Sequence, residues 1–245
     1  MADRIPHPVR MEATRDPAVG RWLWLIKWLL ALPHYVVLFF LWIAFFVLTV
    51  VAFFAILFTG RYPRGIFEFN TGVLRWSWRV GFYSYWVLGT DRYPPFTLSA
   101  DVDYPARLTI RPPERLSRGL VLIKWWLLAV PHYLVLSLFV RGGMGFRVDG
   151  TGGTAKETAE TATNMVYQSP GLIGLLVLFA ALSLLFGGLY PRGIFDLVVG
   201  LNRWVMRVVV YSALMTDRYP PFRLDMGGPE PRLAEAGGGS TEGRP

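Results

Sequence analysis

The chain of 245 residues contains no cysteine. That excludes a disulfide framework, a thiolate nucleophile and a cysteine-ligated metal. Charge is scarce as well: Asp, Glu, Lys and Arg make up 17% of residues, against about a quarter in a soluble globular domain. Histidine occurs three times, and no Asp or Glu falls inside a long apolar run. The G-x-x-x-x-G-K-[ST], G-x-S-x-G and H-E-x-x-H patterns are all missing, so no phosphate cradle, nucleophile elbow or zinc helix is legible.

Apolar residues are plentiful, at 53%, and 16% of the chain is aromatic. They are concentrated. From Trp22 to Phe58 the only ionisable side chains are Lys27, His34 and Tyr35, a run that predicts an integral membrane protein. The run is too long for the core of a cleaved signal peptide and no small-x-small site follows it, so it is expected to be retained. The net charge of +8 comes largely from Arg residues flanking the apolar runs. Such placement fits a cytoplasmic membrane surface rather than a nucleic acid.

The chain also contains itself twice. LIKWLLALPHY (25–35) returns as LIKWWLLAVPHY (122–133) with one residue inserted, and YPRGIF (62–67) returns unchanged at 190–195. TDRYPPF (90–96) returns at 216–222, and HPVRM (7–11) weakly matches YPARL (104–108). Between these blocks Gly72, Arg75, Trp76, Arg79, Tyr83 and Ser84 match Gly200, Arg203, Trp204, Arg207, Tyr211 and Ser212. Repeat 1 is placed at 1–98 and repeat 2 at 99–226, with a disordered, Gly- and Pro-rich tail over 227–245.

Repeat 2 carries about 30 additional residues, the polar stretch 141–169. A hydrated insertion does not fit at mid-bilayer, so the matching point near Leu41–Ile43 is expected at a surface. This predicts a tight hairpin in repeat 1, with spans at 22–40 and 43–59, and spans at 119–140 and 171–189 in repeat 2. The rival reading breaks the first run at Pro33, into a short interfacial helix and one long span. A third helix follows each pair, over 65–89 and 192–215. One face carries Glu68, Gly72, Arg75, Arg79 and Tyr83, repeated by Asp196, Gly200, Arg203, Arg207 and Tyr211. Crossing the membrane would put two Arg near its centre at about 2.5–3.5 kcal/mol each, so an interfacial position is expected. Alternation over Phe96–Val102 and Ala106–Ile110 suggests a small β element, to which Val9–Ala13 and Phe222–Met226 could add strands. The sum is an all-α integral membrane protein of two tandem pseudo-symmetric repeats. Each is a transmembrane helical hairpin with an amphipathic interfacial helix, and a small cytoplasmic β element lies beside them. Counting Lys and Arg places both termini in the cytoplasm and 141–169 outside.

The run ending in FTG (58–60), the Arg-bearing helix after it and the closing TDRYPPF resemble the membrane family called domain of unknown function 4389. The second copy has FGG (186–188) in place of FTG. The resemblance implies a multi-pass protein of the bacterial inner membrane with no assigned activity. It also implies a built-in pseudo-dimer, because shorter members look like one copy; the stretch 141–169 departs from that shorter pattern.

Two residue sets invite a functional reading. Arg75, Arg79, Arg203 and Arg207 form a candidate lipid- or anion-binding rim, since guanidinium groups suit bidentate recognition of phosphate. The bland alternative is a solvated face attracted to anionic lipid without specificity. On the lipid reading, replacing Arg75 and Arg203 lowers lipid co-purification without unfolding the protein. Lys27, His34, Lys124 and His132 are candidate intramembrane polar residues. The lysines are expected to snorkel, and the histidines to hydrogen-bond a carbonyl or to line a pathway. Asp91 and Asp217 are expected to cap or pair locally. No catalytic residue, metal site or cofactor is expected. The leading reading is a non-enzymatic accessory or scaffold that engages anionic lipid, a membrane protein partner or another copy of itself, and not nucleic acid. The alternative is a small transporter or channel subunit with its pathway between the repeats.

Overall fold

A computed structural model describes residues 7–16, 19–141, 171–187, 190–222 and 224–227. The expected extracytoplasmic loop, beyond Arg141 as far as 169, and the expected disordered tail beyond Gly227 lie outside the described residues. Among these residues six helices and two short strands follow in chain order: β1 Val9–Ala13, α1 Trp24–Thr59, α2 Arg64–Tyr83, β2 Ala106–Ile110 and α3 Arg118–Ile123. A π turn, Lys124–Leu128, then leads into α4 Val130–Arg141, followed by α5 Leu172–Gly187 and α6 Arg192–Ser212. The chain is mostly helical, and among the described residues α1 alone is long and apolar enough to cross a membrane.

The tight turn expected near Leu41–Ile43 is not there. α1 runs unbroken for 36 residues, through Pro33 as well, so both the hairpin and the broken-helix readings of repeat 1 are corrected. Leu41, Trp42, Ile43 and Ala44 include no helix terminator, whereas Gly60 does terminate: at φ 71° its N–H returns to Ile56 O at 2.7 Å. In the second copy two helices, α4 and α5, stand where the first copy has one. α4 and α5 lie along α6 much as the two halves of α1 lie along α2.

The arginine faces of α2 and α6, expected at an interface, are packed largely inside the protein. Between Asn70 and Tyr83 all but Arg75 are buried, and α6 is almost equally covered. Their apolar faces pack on α1, α4 and α5, and their arginine faces pack on the chain segments around the sheet. Trp78, Phe82, Leu74, Phe195 and Val198 lie in one core that also takes in both strands.

The sheet itself joins the copies. β1 and β2 pair antiparallel with Met11 opposite Leu108 at the centre. These two residues also correspond in the HPVRM and YPARL lead-ins, so the ladder reads the same from either end. Among the described residues Phe96–Val102 and Phe222–Met226 show no strand; arginine side chains take carbonyls there instead. Gly72 is where the first of these segments crosses α2, and a Cβ on it would stand 2.8 Å from Leu98 Cβ and 3.2 Å from Leu98 O.

The π turn absorbs the residue inserted in LIKWWLLAVPHY. One extra residue in an α-helix would rotate Lys124 by about 100° relative to His132; widening one turn removes that rotation. Two outcomes are expected. Gly72→Ala lowers stability by about 1–3 kcal/mol through overpacking, read by denaturant or thermal unfolding in detergent. Deleting Trp126 converts the π turn to regular helix and leaves the unfolding midpoint within about 1 kcal/mol of the parent.

Candidate functional site

The closing TDRYPPF block of each copy straps back onto that copy's first helix. Lys27 and His34 are seven residues apart, two turns, and so share a face. Lys27 Nζ lies 2.7 Å from Asp91 Oδ1, donates to Thr90 O at 2.7 Å and sits 4.9 Å from the Tyr83 ring centre. Lys124 repeats this, donating to Asp217 Oδ1 at 3.0 Å and lying 4.8 Å from the Tyr211 ring. Both lysines are fully buried rather than snorkelling. The aspartates pair over a long distance in sequence, not locally, and each also accepts a backbone N–H near the start of its copy, from Gly20 or Ser117.

His34 accepts from Trp76 Nε1 on its Nδ1 at 3.2 Å and stacks on Phe96 with centroids 3.9 Å apart. His132 stacks on Trp204 and lies 4.3 Å from Phe222. Its Nε2 donates to Pro220 O and its Nδ1 accepts from Tyr219 Oη, both at 3.2 Å. In each ring Nδ1 is the acceptor, the neutral Nε2–H tautomer. The expected carbonyl partner therefore exists for His132, while His34 has a tryptophan. The two aromatic clusters share no residue.

The four candidate rim arginines do not form a rim. Arg79, Arg203 and Arg207 are at most 2% exposed. Arg75 donates to Leu108 O and Leu98 O at 3.2 and 2.9 Å, and Arg79 to Thr97 O and Ser99 O at 3.2 and 2.6 Å. Arg203 donates twice to Met11 O, at 3.0 and 2.9 Å, and also to Asp225 O and Gly227 O. Arg207 pairs with Asp225 Oδ2 at 2.7 Å. Burial lowers the pKa of Arg75 and Arg79, and at Arg79 the Arg75 charge pushes the same way while Tyr104 opposes. The carbonyl oxygens of irregular chain occupy the donors that a headgroup would need.

Exposed arginines gather elsewhere, where α1 ends and α3 begins. Thr59, Gly60, Arg61, Arg115, Leu116 and Arg118 line a cleft of about 450 Å³, held together by Leu116 N–H donating to Gly60 O at 2.9 Å. A neighbouring cavity of about 1070 Å³ adds Arg64, Glu68, Arg75 and Glu114. Arg61, Arg64, Arg115 and Arg118 are exposed and make no ion pair among the described residues. Flanking positions hinted at these four in the sequence, but only the fold brings 61 next to 115 and 118. Among the described residues no group of three His, Cys, Asp or Glu converges on one point.

A family model described as a domain of unknown function (DUF4389) matches residues 21–97 and 166–223, more than half of the chain, and the chain belongs to that family. No curated protein and no solved structure matches it.

Replacing Arg75 and Arg203 is therefore expected to act on folding before it acts on lipid. Arg203→Met leaves the carbonyls of Met11, Asp225 and Gly227 without a donor and lowers stability by about 2–4 kcal/mol. Arg203→Lys recovers part of that, because one ammonium cannot reproduce the fork. Thermal unfolding of the three proteins in the same detergent gives the order.

Proposed function

We propose that this DUF4389 member is a non-enzymatic protein of the bacterial inner membrane, a scaffold that engages anionic lipid through arginines on its cytoplasmic side. The rim is Arg61, Arg64, Arg115 and Arg118 rather than Arg75, Arg79, Arg203 and Arg207. The observation carrying the reading is one of position: these exposed, unpaired cations stand where the apolar surface of α1 ends, next to Phe58 at 72% exposure. A phosphodiester there would meet guanidinium groups while its acyl chains lay along the helix. Binding rather than catalysis is supported by the commitments of the buried polar groups. Lys27 and Lys124 are neutralised by aspartates, and both histidines are packed between aromatic rings. The same rim also suits an acidic partner at the membrane surface.

Native mass spectrometry of the protein released from nanodiscs of mixed phosphatidylglycerol and phosphatidylcholine tests this. The parent is expected to retain phosphatidylglycerol preferentially. Arg61→Gln with Arg118→Gln is expected to reduce that preference by about thirtyfold, at about 1 kcal/mol per charge, with an unchanged unfolding midpoint. Equal retention by both proteins counts against the reading.

A further inference from the structure

The side of α1 away from α2 is bare apolar surface. Leu29, Val36, Ile43 and Val50 stand at seven-residue intervals on one line, with 52%, 50%, 50% and 42% of their surfaces exposed. At 1.5 Å per residue the 36-residue helix is about 54 Å long, well beyond the roughly 30 Å of a bilayer's hydrocarbon core.

The position of the sheet limits how such a helix can sit. Trp42, at the middle of α1, donates to Ser77 Oγ on α2 at 3.1 Å. Two residues away, Arg75 donates to Leu108 O at the centre of the β1–β2 ladder. The middle of the sheet is therefore level with the middle of α1, one helix layer away. Its outer face carries Arg10, Glu12, Arg107 and Thr109, of which Arg107 and Thr109 are exposed. With α1 upright, those charges would face lipid at mid-bilayer, where neither charge nor unpaired backbone is tolerated. With α1 flat, α2 separates the sheet from the lipid, and the bare face of α1 meets acyl chains.

We propose that α1 lies along the plane of the membrane, its bare face covered by the acyl chains of a single leaflet, with the β1–β2 sheet in water on the same side. This placement rests on the membrane reading above and adds an orientation to it. It replaces a spanning helix with an immersed one, and it puts the Arg61–Arg115–Arg118 cleft at headgroup level.

The absence of native cysteine makes the test direct. Full-length Leu29→Cys, Val36→Cys, Ile43→Cys and Val50→Cys proteins are labelled with a fluorophore and added to preformed phosphatidylglycerol–phosphatidylcholine vesicles. Depth is then read with quenchers at different acyl-chain positions. A flat helix gives four depths within about 5 Å of one another. An upright helix separates Leu29 from Val50 by about 31 Å along the membrane normal, with Ile43 deepest, and that gradient overturns the placement. In a companion variant, Thr109→Cys is expected to react completely with a membrane-impermeant maleimide supplied outside the vesicles. Protection of Thr109→Cys in vesicle-bound protein overturns the placement but leaves the membrane reading standing. Failure of all variants and the parent to bind vesicles overturns both.

Discussion

The fold depends on arginine side chains finding carbonyl oxygens in the other copy. Arg75 of the first copy reaches Leu108 O on the strand that leads into the second, and Arg203 of the second reaches Met11 O on the strand that leads into the first. A buried guanidinium is costly unless its donors are satisfied, and irregular chain offers acceptors that a helix or sheet would already have used. Each copy thus lends a strand to its neighbour's helix, and the Met11–Leu108 pair lies where the exchange meets. Neither copy has a complete core without the other's strand.

The second constraint acts within each copy. A closing block of seven residues returns to the first helix with an aspartate for the lysine and two aromatic side chains for the histidine, two turns further on. The spacing from Lys to His must therefore be kept in angle, not in residue count. The π turn meets that requirement: an inserted residue is absorbed without moving either polar group off the face that the strap covers. Burial of Lys27 and Lys124 follows from the same packing, since each ammonium has a carboxylate and an aromatic ring beside it.

These two sets of internal contacts hold Lys27, Lys124, His34, His132, Arg79, Arg203 and Arg207 inside the protein. One side is apolar along α1; the sheet, with its alternating polar residues, lies beyond α2. Four arginines with no ion pair among the described residues mark one end of the apolar side. On the proposed placement such an amphipathic slab would meet a membrane with one face and the aqueous phase with the other, while Arg79, Arg203 and Arg207 stay inside it.

Much of this could be read from residue order alone. The repeated blocks predicted two copies, the apolar run predicted helix over 22–59 though not that it is one unbroken helix, and alternation at Ala106–Ile110, with Val9–Ala13 as its counterpart, predicted the two strands. The special spacing of Lys and His was visible too, because identity between copies picks out residues that serve the same local contact. Two inferences failed for one physical reason. An amphipathic pattern records that a helix has two different faces, but not whether the polar face meets water, phosphate or carbonyl oxygens. Likewise an insertion records that chain can be added at a point, not that the uninterrupted copy bends there. Periodicity and composition set the local elements and their apolar faces. What covers the arginines, which strand pairs with which, and where exposed cations gather depend on contacts between residues up to 192 positions apart, and only the packed chain brings those together.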